Sequence, residues 1–197
     1  MNLSFLKLSN PYIRFILLFT ILIFIWFTFY HFIYKFNILL SQDHSIDLLN
    51  SISIILANQS NFLLNIFGYE TLLEVHNNMV VTKIIGNEFD HGVWIGEPCN
   101  GVKIFGVFSI FIIAFPGNIK NKLWYIPLGI LIIHFINVIR IAILTIISSK
   151  NPSILDFNHN ITFQVIVYSI ILGLWLIWIK KYAQFEKINK NHNSDLL

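Results

Sequence analysis

From Phe15 to Tyr34, twenty consecutive residues carry no charged side chain. At 1.5 Å per residue such a run makes about 30 Å of helix, the thickness of a bilayer's hydrocarbon core. It lacks a small-residue cleavage site and further apolar runs follow, so it predicts an uncleaved anchor and not a signal peptide. Three later stretches read the same way. Asn100 to Pro116 has Lys103 as its only charge, Leu123 to Ser149 has Arg140 alone, and Thr162 to Ile179 has none. The second is short for a span and calls for tilt or local thinning. Hydrophobic residues make up 56% of the 197 and charged residues 12%, which leaves too little polar surface for a soluble domain of this size. The predicted fold class is all-α: one polytopic helical bundle over residues 1–197, about four transmembrane helices, with 183–197 a frayed tail.

Loop charges orient the bundle. With the N-terminus, the Asn118–Lys122 loop and the C-terminal tail on one side, that side holds Lys7, Arg14, Lys120, Lys122, Lys180, Lys181, Lys187 and Lys190. The other side holds Lys35, Lys83, Lys103 and Lys150, and all acidic residues except Glu186 and Asp195. An excess of basic residues marks the cytoplasmic side, so both termini are expected there. A net charge of +3, interrupted by apolar runs, gives no reason to expect nucleic acid as a partner.

Between the first two spans lies a small non-cytoplasmic segment. Ile46 to Phe67 is apolar but interrupted by Asn50, Asn58, Gln59, Ser60, Asn61 and Asn65, which predicts an interfacial or membrane-dipping helix. Thr71 to Trp94 reads as short extended segments with turns at Asn77-Asn78, Gly86-Asn87 and His91-Gly92.

Chemistry concentrates at three points. The run Glu97-Pro98-Cys99-Asn100-Gly101 contains the one cysteine, which excludes an internal disulfide, a CxxC pair and a multi-thiolate metal site. Pro98 suits a helix start, so Cys99 is expected in the first turn of the second span. There the dipole, with Lys103 one turn on, would favour thiolate. The alternative is a small buried cysteine used as packing. Arg140 is expected inside a span, about 13 Å below the outer helix end. A guanidinium there costs at least about 2.5–3.5 kcal/mol, so it needs partners or a snorkelling path, and Asn137 one turn earlier can orient it. His159, in Asp156-Phe157-Asn158-His159, is expected just before the fourth span. Histidine titrates near neutral pH, and Asp156 would orient the ring if the turn is tight. The alternative is an ordinary loop histidine.

Topology brings these three to the non-cytoplasmic end. A thiol, a base and an anion-stabilising cation form an acyl-transfer constellation. His91 is a reserve base, and His134, which points elsewhere, suits an interhelical hydrogen bond. No histidine spacing matches a metal site, so neither metal nor cofactor is expected.

At these residues the chain resembles the exosortase/archaeosortase family of membrane-embedded sorting enzymes. The match lies in Glu97-Pro98-Cys99-Asn100-Gly101, in Asn137-Val138-Ile139-Arg140 and in Asp156-Phe157-Asn158-His159, in that order on successive spans. In size the chain looks most like the small exosortase F type of Gram-negative bacteria. The resemblance implies a cysteine protease/transpeptidase of the inner membrane with its active site facing the periplasm. Its substrates would be exported proteins ending in a transmembrane sorting signal, cut near a short motif and passed to an acceptor through a Cys thioester. Cys99 would attack, Arg140 would stabilise the oxyanion, and His159 would shuttle the proton. Glu97, Asn100, Gly101 and Asn137 would shape the site. The lipid bilayer and a co-encoded membrane protein are the other expected partners. The chain departs from the fuller pattern in its smaller scaffold and in lacking a glycine shortly after His159. Two other classes compete. A non-enzymatic scaffold of a surface-protein export system would pair Arg140 with a partner's acid, and a small anion transporter would place Arg140 in its path. The lack of paired broken helices weakens the transporter.

Overall fold

The computed structural model describes residues 11–41, 48–76, 79–86, 92–96 and 99–182. Helix α1 (Pro11–Ser41) is followed by α2 (Leu48–Ile66), then strands β1 (Thr71–His76), β2 (Met79–Ile84) and β3 (Val93–Trp94). Next come α3 (Val102–Ala114) and α4 (Ile119–Lys150), a 3-10 turn (Pro152–Ile154), α5 (Leu155–Phe157), a π turn (Asn158–Thr162) and α6 (Phe163–Tyr182). Among the described residues, three helical runs are long and apolar enough to cross a membrane: Tyr12–Lys35, Ile119–Lys150 and Pro152–Tyr182. Helix α3, at 13 residues, is the shorter apolar member. The expected polytopic helical bundle is therefore present, built from three long apolar helices and one short one.

Two of the expected boundaries move. Helix α3 starts at Val102, not at Asn100, because Gly101 takes a left-handed conformation (φ 81°) that an α-helix cannot include. The last helical run starts at Pro152, ten residues before the expected Thr162. Proline suits a first helical position, where its missing N–H costs nothing.

Helix α2 explains its own polar interruptions. Ser53, Ser60 and Asn61 are buried against the bundle. Ser60 Oγ donates to Leu56 O at 2.8 Å and lies 3.2 Å from Val138 O on α4. Asn61 Oδ1 accepts from Thr82 Oγ1 of β2, and Gln59 Oε1 lies 2.6 Å from His134 Nε2. Side-chain amides and hydroxyls that would be costly in lipid are thus bonded within α2, to α4 and to β2. His134 has the interhelical role anticipated for it.

The three strands form one antiparallel sheet in the order β1-β2-β3, with Glu74 opposite Val81 and Thr82 opposite Val93. On β2, Val80 and Thr82 face inward and are fully buried, and Val81 and Lys83 alternate outward, the period of a half-buried strand. The Asn77-Asn78 turn, Asn87 and His91 lie outside the described residues.

One end of the bundle is aromatic. Phe15 of α1 meets Phe115 at 4.9 Å between ring centroids, Tyr125 meets Trp178 at 5.1 Å, and Trp124 meets Tyr182 at 5.5 Å. The start of α1, the α3–α4 connection and the end of α6 therefore share that end, as the charge count requires. It also carries Lys120, Lys122, Lys180 and Lys181. Cys99, the sheet and His159 occupy the other.

Close packing at mid-bundle depends on Gly129, where an added Cβ would enter the fully buried ring of Phe108. Gly129→Ala is expected to cost about 1–3 kcal/mol by overpacking. A lowered Tm of the purified protein in detergent, beside an unaffected Gly173→Ala control in open space, would show it.

Candidate active site

Cys99 lies in a turn, with its backbone N–H donating to Gly96 O at 2.9 Å. It precedes α3 by three residues, so the expected place in the first helical turn is corrected. The αL turn at Gly101 separates the thiol from the helix start. Lys103, four residues on, sets its Nζ 5.1 Å from the centroid of Tyr30 on α1. The thiol is 3% exposed, set among Leu56, Ala57, Val80, Ile95, Val138 and Ile141.

The three residues singled out from the sequence do meet. Cys99 Sγ is 3.0 Å from His159 Nε2, and Arg140 Nη2 donates to His159 O at 3.4 Å. His159 stands in the π turn within the last helical run and not in a loop before it. π turns recur at functional sites because they re-aim a side chain without ending the helix. Its other ring nitrogen, Nδ1, lies 3.0 Å from Asn160 Oδ1. A carboxamide oxygen can only accept, so this contact places the proton on Nδ1 and leaves the Nε2 lone pair facing the thiol. Asp156 is exposed on α5 and does not take the orienting place proposed for it; Asn160 does. The helical turn directs residue 160 to the ring, whereas the sequence reading assumed a loop.

Two further residues fix the cysteine turn. Asn137 Nδ2 donates to Cys99 O at 2.7 Å and so ties the cysteine turn to α4. A Cβ on Gly101 would lie 3.2 Å from that same Nδ2 and 3.1 Å from the Phe105 ring, so the glycine leaves room for the bond as well as the backbone its turn. Asn100 accepts from Val102 N at 3.1 Å through Oδ1. Arg140 is 5% exposed, and its Nε has no hydrogen-bond partner among the described residues. Glu97, Pro98 and the reserve base His91 lie outside the described residues. No group of three or more potential metal ligands occurs among the described residues.

The sequence profile of the transmembrane exosortases matches residues 12–177. The chain belongs to the transmembrane exosortase family. The match covers α1 through most of α6, so it includes the cysteine turn, the arginine helix and the histidine turn of this exosortase together. No curated protein and no solved structure matches it significantly.

Proposed function

We propose that this exosortase is a membrane-embedded cysteine protease/transpeptidase. It cleaves a C-terminal sorting signal from exported proteins and passes them to an acceptor. The observation that carries this reading is the 3.0 Å separation of Cys99 Sγ from His159 Nε2, with Asn160 holding the far side of the ring. Nucleophile, base and a third group that orients the base make a cysteine acyl-transfer unit.

In the first step Nε2 of His159 takes the Cys99 proton as sulfur bonds to the scissile carbonyl carbon. The carbonyl's π pair moves onto oxygen, and the guanidinium of Arg140 is the cation available to stabilise it. As the pair returns, the C–N bond breaks, and the amine of the departing helix takes the proton from His159. The exported protein is left as a thioester on Cys99. The acceptor then gives its proton to His159, attacks the thioester, and releases the thiolate, which is reprotonated.

Helix lengths agree with this site lying at a membrane boundary. The 32 residues of α4 make about 48 Å of helix against about 30 Å of hydrocarbon. With Lys120 and Lys122 at one interface, Asn137 and Arg140 fall near the other. The 20 residues of α6 make about 30 Å, which brings the π turn with His159 to the same level. A substrate whose tail spans the bilayer would present its cleavage point at a fixed depth, so lateral packing can replace a deep soluble cleft. The positive-inside rule supports reading that boundary as the periplasmic face of a bacterial inner membrane.

A covalent adduct tests the reading. Co-expressed with an exported protein bearing a C-terminal membrane helix and basic tail, the enzyme is expected to carry that protein's upstream part as a hydroxylamine-labile thioester. The adduct should be absent in Cys99→Ala. Topology is tested separately in the Cys99→Ala background. A cysteine at Ser153 is expected to react with an impermeant maleimide on cells whose outer membrane is permeabilised, and one at Lys120 only after the inner membrane is opened. The reverse pattern would invert the assignment.

A further inference from the structure

An acyl-transfer site needs hydrogen-bond donors waiting where the carbonyl oxygen becomes anionic. Around Cys99 most donors are already committed. The cysteine's own N–H, which often serves this purpose, is bonded to Gly96 O at 2.9 Å. Asn137 Nδ2 holds Cys99 O at 2.7 Å, and Arg140 Nη2 reaches His159 O at 3.4 Å. Arg140 and Asn100 each keep a buried side-chain donor without a hydrogen-bond partner among the described residues, Nε and Nδ2 respectively.

Asn100 is the more telling of the two. It is 1% exposed, so bulk water does not stand in for the missing partner. Its Oδ1 accepts from Val102 N at 3.1 Å, which fixes which end of the amide is oxygen and leaves the NH2 group as the unused end. Leaving a buried donor unpaired is costly, and folded chains keep few of them. This one adjoins the only thiol in the chain, on a turn that Gly101 and the Asn137 bond hold in place.

We propose that the carboxamide of Asn100 is a catalytic donor that, together with Arg140, binds the oxyanion formed when Cys99 attacks an acyl carbonyl. The proposal rests on the cysteine reading above and adds a residue to it. Asn100 transfers no proton. Its N–H hydrogen-bonds the oxygen as the π pair arrives, and the bond weakens again as the pair returns and the leaving group departs.

Two small probes of the purified full-length protein in detergent isolate this role. p-Nitrophenyl acetate acylates a thiol through a tetrahedral oxyanion. Iodoacetamide alkylates it by displacement at a saturated carbon, with no oxyanion. With one cysteine in the chain, both report on the same sulfur. Asn100→Ala is expected to slow the p-nitrophenolate burst about tenfold or more while leaving the alkylation rate unchanged. Asn100→Ser, which keeps a donor and a cap for Val102, is expected to recover part of the loss. An equal fall with both probes in Asn100→Ala would overturn the proposal in favour of a turn-holding role, and so would an unchanged ratio of the two rates in that variant. Cys99→Ala serves as the control on the underlying reading. A burst that survives it would overturn the cysteine mechanism and this assignment together, whereas a Cys99-dependent burst indifferent to Asn100 would overturn only the latter.

Discussion

Cys99→Ser is expected to leave a folded exosortase whose processing of a sorting-signal substrate has fallen by about 10⁴-fold or more. The substitution changes one atom in a site enclosed by Leu56, Ala57, Val80, Ile95, Val138 and Ile141, so packing around the turn is nearly preserved. What changes is the nucleophile. A hydroxyl is far less acidic than a thiol, and His159 beside it would have to remove a much more tightly held proton. A scaffold that used this turn only for assembly would tolerate the exchange, so the same variant separates the two classes. Processing is read by the shift of the substrate to its cleaved form, and folding by the amount of protein recovered in detergent.

His159→Ala is expected to be the next most damaging change, with processing down by about 10²–10⁴-fold, the usual worth of a positioned general acid–base. In the proposed mechanism Nε2 carries the thiol proton to the leaving amine and later takes the acceptor's proton, so both halves of the reaction would suffer. Added imidazole is expected to restore part of the rate, because the truncated side chain leaves space beside the thiol. A merely structural histidine would show no such rescue. Asn160→Ala should fall between wild type and His159→Ala, since the ring stays but loses the acceptor 3.0 Å from Nδ1 that fixes its tautomer.

Much of this arrangement is legible in the sequence because lipid imposes a simple rule on it. The uncharged run from Phe15 to Tyr34 can only be a helix that satisfies its own backbone, and Arg140 stands out because nothing like it lies nearby. The polar residues of α2 mark a helix that is not a plain span, and their partners His134, Val138 and Thr82 show what they are for. Less visible are the features set by tertiary contact. Pro98 suits a helix start, and only the positive φ of Gly101 shows that the chain turns before the helix begins. Pro152 marks the true beginning of the last helical run, yet the polar stretch from Asn151 to Asn160 looked like a loop. Once that stretch is helical, Asn160 and not Asp156 comes beside the ring. The pairing depends on a π turn, for which the sequence has no simple signature.

Activation of Cys99 by His159 can be read from the alkylation rate of this single thiol, without any substrate. Purified protein would be treated with iodoacetamide from about pH 5 to about pH 10, as wild type and as His159→Ala. Wild-type reactivity is expected to extend well below the pH at which an ordinary thiol of pKa about 8.5 loses it, and His159→Ala is expected to remove this low-pH limb. A single ordinary thiol titration, the same in both proteins, would contradict it.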